Sequence, residues 1–102
     1  GLQAMEIRNR RKAEKLYAAI DRSDLYHSPV QRSHRSIMNV PFTLLESELE
    51  DRFLKVAKTR GLLNLKGHRS VGGMRASLYN AINEEAVDAL IEHMESFEKA
   101  TR

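Results

Sequence analysis

The segment best equipped to bind a charged ligand is residues 67–80, which contains two arginines and a histidine. It reads GHRSVGGMRASLYN and holds three of the chain's five glycines. Arg69 follows His68 in the glycine-punctuated part, where backbone can approach a ligand closely. The guanidinium of Arg69 or Arg75 keeps its charge and presents a planar fork that matches two oxygens of a carboxylate or phosphate. The segment therefore predicts a site for a small ligand with two anionic groups, although spacing alone leaves open solvated arginines or surface ion pairs.

Residues 74–79 alternate as a strand with one packed face would. The two faces are Met74, Ala76 and Leu78 on one side, and Arg75, Ser77 and Tyr79 on the other. Arg75 is therefore expected to point away from the face that packs. Asn39 and Ser77 are polar residues at strand positions, and we interpret them as hydrogen-bonding support for a site rather than as ligand contacts.

The first part of the chain predicts a long helix, a polar turn and a strand. Apolar residues mark one stripe of a helix from residue 2 to about residue 20, and residues 21–34 read as a polar, linker-like turn that includes Tyr26. Residues 37–45 alternate as a half-buried strand. Pro41 has no amide hydrogen, so its nitrogen is expected to face an edge or a bulge.

The second part predicts two helices around two short strands. Ser47 and Glu50 have the capping-box form and are expected to open a helix that Gly61 closes in a left-handed conformation. Residues 62–66 predict a strand, and residues 74–79 another. Asn83 is expected to cap the last helix, whose first turn is acidic. Three strands with helices on one face make an α+β layer.

Several side chains are assigned to the surface or the core from helical spacing. Lysines expected on exposed helix faces are Lys12, Lys15, Lys55, Lys58 and Lys99, and Lys66 is expected to be a solvated residue at a strand end. Met5 and Met94 are expected in the core, and His93 on the polar side of the last helix. Histidines and carboxylates show no metal-ligand spacing, so no metal site is predicted.

Composition excludes several classes of function. With 17 basic and 14 acidic residues, the net charge is only +3. The two signs are interspersed, which argues against a nucleic-acid-binding arm. The absence of cysteine excludes disulfides and thiolate catalysis. No apolar run is long enough for a membrane span, and no secretory signal is recognisable, so a cytoplasmic protein is expected.

The residues of this site resemble a known family. Residues 67–81 resemble the C-terminal signature of phosphoserine aminotransferases, and residues 35–42 (RSIMNVPF) resemble the strand that enters the same domain. The similarity extends over nearly the whole chain. It implies the small C-terminal domain of the aspartate-aminotransferase-like fold, the fold type I of pyridoxal-phosphate enzymes. Residues 1–34 would be an interdomain helix and linker, and residues 35–102 the small domain.

The resemblance also implies a reaction. The family transfers an amino group between glutamate and 3-phosphohydroxypyruvate, giving O-phospho-L-serine and 2-oxoglutarate in serine biosynthesis, and relatives also serve pyridoxine biosynthesis. By the family's roles, Arg75 would bind the α-carboxylate, and His68 and Arg69 the phosphate or distal carboxylate. Members are homodimers with active sites near the subunit interface.

A chain of 102 residues is enough for one domain and not for the two that such an enzyme needs. We therefore expect a piece of a longer protein, inactive by itself, whose missing large domain binds pyridoxal phosphate and supplies the Schiff-base lysine. No catalytic residue is assigned in this chain. An alternative is a stand-alone anion-binding or regulatory module derived from that domain.

Overall fold

The computed structural model describes residues 2–37, 39–62, 73–77 and 83–101. Two short 3-10 turns, Arg32–His34 and Ser47–Leu49, accompany the regular elements. The helices and strands, in chain order, are α1 (Leu2–Asp21), β1 (Tyr26–His27), β2 (Asn39–Leu44), α2 (Glu50–Thr59), β3 (Met74–Ser77) and α3 (Glu84–Thr101).

The described strands form one antiparallel sheet in the order β1-β2-β3. Alternate residues of β2 and β3 are buried against the helices, as the sequence predicts, because successive strand side chains point to opposite faces. The buried members are Val40, Phe42, Leu44, Met74 and Ala76. The sheet therefore has one packed face and one face on which the described side chains are half-buried or exposed, called here the open face.

The segment 21–34, expected to be a polar turn, contains a strand that the sequence did not reveal. Tyr26 pairs with Leu44 and His27 with Thr43. Tyr26 is buried, and its hydroxyl donates a hydrogen bond to the backbone oxygen of Met94 at 2.7 Å. A strand of two residues carries no readable alternation, and its position depends on distant partners. Of the three expected strands, two form as β2 and β3, whereas residues 63–66 of the third, predicted at 62–66, lie outside the described residues.

The sequence predicts the C-terminal end of α2 correctly and its N-terminal end incorrectly. The expected capping box is wrong: a 3-10 turn precedes α2, and the amide of Glu50 donates to the backbone oxygen of Ser47 instead. The C-terminal end is confirmed. Gly61 has φ 79°, its amide donates to Lys58 at 3.0 Å, and the amide of Leu62 donates to Ala57 at 2.9 Å. This pair of bonds satisfies the last carbonyls of the helix.

The helices α1 and α3 pack against each other and on the sheet. The predicted extent of α1 is confirmed, and its buried side chains are Ala13, Leu16, Tyr17, Ala19 and Ile20. Asn83 caps α3 as expected, since its side-chain oxygen accepts a hydrogen bond from the amide of Ala86 at 2.8 Å. Met94 lies in the core as predicted. Met5 does not: it is 44% exposed near the start of α1.

Lys12 was expected on an exposed helix face and is buried instead, with 6% of its surface exposed. It lies one turn before Leu16 on the face of α1 that turns towards α3, so its aliphatic stem contributes to packing. Burial lowers the pKa of Lys12, and the neighbouring charge of Arg8 lowers it further, whereas Glu84 opposes the shift. The surface prediction holds for Lys55, Lys58 and Lys99, and Lys15 is half-exposed.

His93 was expected on the surface and is fully buried. It follows Leu90 by three residues and precedes Phe97 by four, so it faces the same side of α3 as the apolar stripe. Its Nε2 lies 3.3 Å from the backbone oxygen of Phe53, and its ring centroid lies 4.6 Å from that of Phe53. Its Nδ1 has no hydrogen-bond partner among the described residues. Burial lowers the pKa of His93, so the imidazole is neutral in the folded chain.

The free energy of unfolding is therefore expected to decrease as the pH falls below about 6.5, the ordinary histidine value. Below that pH the unfolded chain binds a proton at His93 more readily than the folded chain does, because the folded-state pKa is lowered, and the loss is at most about 1.4 kcal/mol per pH unit. Urea unfolding of the chain between pH 7.5 and 5.5 measures this loss. His93→Phe should lose less stability over this range than the unsubstituted chain, while the control His27→Gln, at an exposed histidine, should leave the His93 contribution in place. An unchanged pH dependence in His93→Phe would contradict the assignment.

None of the helices in the described ranges combines the length and the apolar character that crossing a membrane requires.

Candidate functional site

Gly73 fixes how β3 starts against β2. Its φ is 71°, in the left-handed region that favours glycine. A Cβ at this position would lie 2.9 Å from the backbone oxygen of Phe42 and 2.9 Å from Cγ2 of Thr43. The two strands therefore approach each other here too closely for any other residue, and the register of Phe42 with Met74 follows directly.

Gly73→Ala is expected to reduce the free energy of unfolding by about 3 kcal/mol, because a left-handed alanine costs about 1–2 kcal/mol and a shift of the β2 backbone adds to it. Gly61→Ala is the matched control. Gly61 has a similar φ of 79° with nothing within 4 Å of the added Cβ, so only the left-handed strain remains. Urea unfolding of both variants measures the difference, and equal losses would show that the close approach at Gly73 is unimportant.

Arg75 stands on the open face of the sheet. Its neighbours Met74 and Ala76 are both 1% exposed, whereas Arg75 is exposed, which confirms the predicted orientation. Pairing with Pro41 on β2 fixes its position along the sheet. Among the residues that the structure describes, no carboxylate lies within ion-pair distance of Arg75. A guanidinium on a paired strand is thereby available to an anion from outside this part of the chain.

Pro41 lies where its missing amide hydrogen leaves no gap in the sheet. The amide of Leu45 donates to the backbone oxygen of Leu25 at 2.9 Å, so alternate residues of β2 direct their nitrogens to the edge that β1 covers. β1 pairs only with Thr43 and Leu44 and does not reach Pro41. The nitrogen of Pro41 therefore faces a part of this edge that no described strand covers, in agreement with the sequence prediction.

A polar cluster ties the end of α1 to the segment before β2. The guanidinium of Arg35 donates two hydrogen bonds to the carboxylate of Asp21, at 2.7 and 2.8 Å, and its Cζ lies 4.5 Å from the ring centroid of Tyr17. The hydroxyl of Tyr17 donates to the backbone oxygen of Ser36 at 2.9 Å. We call Tyr17, Asp21 and Arg35 the clamp. The sequence analysis assigned no role to these three residues.

The electrostatics of the clamp follow from its geometry. The hydrogen bonds from Arg35 hold the pKa of Asp21 below its ordinary value, and the same bonds raise the pKa of Arg35. Burial raises the pKa of the Tyr17 hydroxyl. Asp21 is therefore ionised and Tyr17 neutral at physiological pH, and the pair of Arg35 with Asp21 is a charge-assisted, bidentate contact.

The other predicted binding residues lie outside the described residues. These are His68 and Arg69, together with Lys66, Leu78 and Tyr79 from the same segment. Asn39 is described: it is half-buried, opposite Ser77 at the start of β2. The structure thus places one of the three predicted binding side chains, Arg75.

A cavity of about 450 Å³ lies between the first half of α1 and the start of α3. Its lining consists of Met5, Arg8, Asn9, Arg11, Lys12, Asn83 and Glu84. None of these described lining residues belongs to β2 or β3. The carboxylate of Glu84, one of these lining residues, forms ion pairs with Lys15 at 3.0 Å and with Arg11 at 3.5 Å. Within the described ranges, no group of three histidines or carboxylates could hold a metal ion.

Comparison with known proteins identifies the class to which this chain belongs. The sequence profile of the family described as Aminotransferase class-V matches residues 1–90. This match covers most of the 102 residues. The chain belongs to the class-V aminotransferases.

Within that class, the chain is similar to phosphoserine aminotransferases. It is 63% identical over 97 residues to the phosphoserine aminotransferase of Hahella chejuensis, covering 95% of this chain and 27% of that protein. The solved phosphoserine aminotransferase from Bacillus circulans subsp. alkalophilus matches with a TM-score of 0.90 and 42% identity, over 99% of this chain and 31% of that chain. The pyridoxal-phosphate-bound enzyme from Trichomonas vaginalis matches with a TM-score of 0.79 and 42% identity, over 85% of this chain and 26% of that chain.

These matches confirm the predicted α+β fold, that of the small domain of fold type I pyridoxal-phosphate enzymes. The chain spans about a quarter of the length of the curated relative it matches.

Proposed function

We propose that these 102 residues are the C-terminal part of a phosphoserine aminotransferase. The complete protein would transfer an amino group between glutamate and 3-phosphohydroxypyruvate, giving O-phospho-L-serine and 2-oxoglutarate in serine biosynthesis. The observation that carries the proposal is the exposed, outward-facing Arg75 in a chain that matches phosphoserine aminotransferases over nearly its whole length. The alternative, a stand-alone anion-binding or regulatory module, is not favoured, because all the reported relatives are aminotransferases.

The substrates of this reaction fit the proposed residue roles. Each carries an α-carboxylate at one end and a phosphate or second carboxylate at the other. Arg75 would hold the α-carboxylate through the two parallel N–H groups of its fork, and the strand that carries it would set the direction of approach. His68 and Arg69 would hold the distal phosphate, and Arg69 also the γ-carboxylate of glutamate, so that one pocket serves both halves of the reaction.

Pyridoxal phosphate would be the cofactor, and it supplies the electron sink for the amino-group transfer when bound. The described residues do not fit a site for it. Among the described residues that line the cavity beside the buried Lys12, none is an aromatic side chain that could stack on a pyridine ring, and the single described carboxylate, Glu84, is already engaged by Lys15 and Arg11. We therefore assign the cofactor site and its lysine to the part of the complete protein that corresponds to the length of the relatives not matched by this chain. This chain's contribution is to bind and orient the substrate.

The organisation of the complete protein is part of the same proposal. Residues 1–34 would form the helix and linker between the two domains, and residues 35–102 the small domain. Two copies would form a homodimer in the cytoplasm, with active sites near the subunit interface. Use of a further phosphorylated substrate in pyridoxine biosynthesis is compatible with the same arginines.

The test is an absorbance titration of the complete gene product, purified with pyridoxal phosphate. Adding O-phospho-L-serine is expected to remove the visible band of the bound cofactor, and adding 2-oxoglutarate to restore it. O-phospho-D-serine serves as the control, because it presents the same charges in the wrong arrangement, and it should leave the band unchanged. A product that binds no cofactor, or whose band does not respond to O-phospho-L-serine, would overturn the proposal.

A further inference from the structure

The clamp joins α1 to the chain segment that leads into β2. Arg35 lies 14 residues after Asp21, and both nitrogens at the end of its side chain bind the Asp21 carboxylate. The Arg35 side chain is only 15% exposed. The guanidinium is held from two directions, since the carboxylate fixes its edge and the ring of Tyr17 covers its face.

The hydroxyl of Tyr17 extends this attachment to the first residue of β2. It donates to the backbone oxygen of Ser36 at 2.9 Å and also lies 3.4 Å from the backbone oxygen of Asn39. Tyr17 is itself buried in the core on α1. The segment from Arg35 to Asn39 is therefore attached to one rigid helix at its beginning and at its end.

The clamped segment lies two residues from the partner of Arg75. Asn39 pairs with Ser77 and Pro41 pairs with Arg75 in the same ladder. Because β3 takes its position from β2, a displacement of β2 relative to α1 moves the Arg75 guanidinium by a similar distance. In bound substrates, an error of about 1 Å in such a group can lower the rate on the order of 100-fold.

We propose that the clamp positions Arg75 for substrate, so that its three members are positioning residues of the amino-group transfer. This inference rests on the proposed function, since it takes Arg75 as the group that binds the α-carboxylate. The stability of the fold has other sources. A partly exposed ion pair contributes little to folding, and α1 is held on the core by its buried apolar side chains. The distinctive property of the clamp is geometrical: bidentate and stacked contacts permit one arrangement of α1 and β2.

The decisive variant is Tyr17→Phe in the complete gene product. It removes the hydroxyl and keeps the ring that packs in the core and under Arg35. We expect kcat/KM for O-phospho-L-serine to fall about 10-fold, on the scale of a displacement somewhat below 1 Å. In the background of Arg75→Ala, the same change should produce less than a twofold further loss, because a positioning effect disappears with the group that is positioned. Losses that multiply in the double variant would overturn the proposal.

The matched control compares two arginines that form ion pairs, Arg35 before β2 and Arg22 just after α1. Arg35→Met removes the clamp, whereas Arg22→Met removes an exposed ion pair with Glu95, whose atoms lie 3.5 Å apart. Only Arg35→Met should lower kcat/KM, and Arg35→Lys should recover little, since an ammonium cannot reproduce the bidentate fork. Equal activities of the Arg35 and Arg22 variants would count against the clamp.

A second readout separates this inference from the proposed function. Backbone amide resonances of Arg75 and Ala76 in the 102-residue chain should shift in Tyr17→Phe and Arg35→Met and stay in place in Arg22→Met. If the complete protein shows no transamination of O-phospho-L-serine, the proposed function fails while these shifts still report the clamp. Unchanged resonances in the Tyr17 and Arg35 variants would overturn the clamp whatever the activity.

Discussion

Arg75→Ala in the complete gene product is expected to lower kcat/KM for O-phospho-L-serine roughly 30- to 5,000-fold. This loss corresponds to about 2–5 kcal/mol of transition-state stabilisation. In the proposed role of Arg75, removing the guanidinium would leave the α-carboxylate of the substrate without its charged partner. Truncating one member of such a charge pair is expensive for this reason. The open face on which Arg75 stands offers no described cation that could replace it from the neighbouring positions of β2, which are Asn39, Pro41 and Thr43.

Two further variants make the Arg75 result specific. Arg75→Lys keeps the charge and loses the planar fork, so its kcat/KM should lie between those of the wild type and the alanine variant. Arg52→Ala removes an exposed arginine from α2 and should leave kcat/KM unchanged. Steady-state rates with O-phospho-L-serine and 2-oxoglutarate give all three values. A nearly unchanged kcat/KM in Arg75→Ala would remove the assignment of Arg75 to the α-carboxylate.

The sequence predicts those parts of the fold that depend on neighbours along the chain. The alternation around Arg75 gives its face correctly, because strand geometry repeats every two residues. Asn83 and Gly61 mark helix ends correctly, since a side-chain acceptor and a left-handed glycine act on backbone groups within one turn. In the same way, the stripe of α1 predicts its length. In each of these cases, the determining contact lies within a few residues.

The capping box at the start of α2 is a local prediction that failed, but several other features that the sequence missed depend on distant partners. Tyr26 enters a strand because β2 offers free backbone groups beside it and α3 offers the oxygen of Met94 to its hydroxyl. Lys12 and His93 are polar side chains placed in the core by helical geometry. Their burial follows from the helices and strands around them, and residue type alone predicts the opposite.

The same distinction between local and distant contacts applies to the candidate site. The orientation of Arg75 was predictable, whereas the clamp was not, because its contacts join residues 14 or more positions apart across an irregular segment. One signal was present. Arg35 lies within the segment 35–42 that resembles the aminotransferase family, and an arginine just before a buried strand requires a partner when the strand enters the core. The role of His68 and Arg69 stays a prediction, since both lie outside the described residues.

Phe53→Ala is expected to reduce the free energy of unfolding by about 3–5 kcal/mol, the usual range for truncating a fully buried phenylalanine. The ring of Phe53 is 0% exposed. Its centroid lies 5.3–5.9 Å from three other rings in edge-to-face arrangements, which are Phe97 on α3, Phe42 on β2 and Tyr26 on β1. One side chain of α2 thus contacts two strands and a helix, and its removal leaves a cavity that each neighbour is too constrained to fill.

Val56→Ala is the matched control on the same helix, because Val56 is 37% exposed and its truncation should change stability by less than about 1 kcal/mol. Urea unfolding of the chain, followed by circular dichroism, measures both variants. Phe53→Ala should also weaken β1, because the Tyr26 ring would lose one of its two edge-to-face partners. Hydrogen exchange of the Tyr26 amide should therefore become faster, together with global unfolding. A Phe53→Ala variant that unfolds at the same urea concentration as Val56→Ala would show that the helices hold the sheet without this aromatic contact.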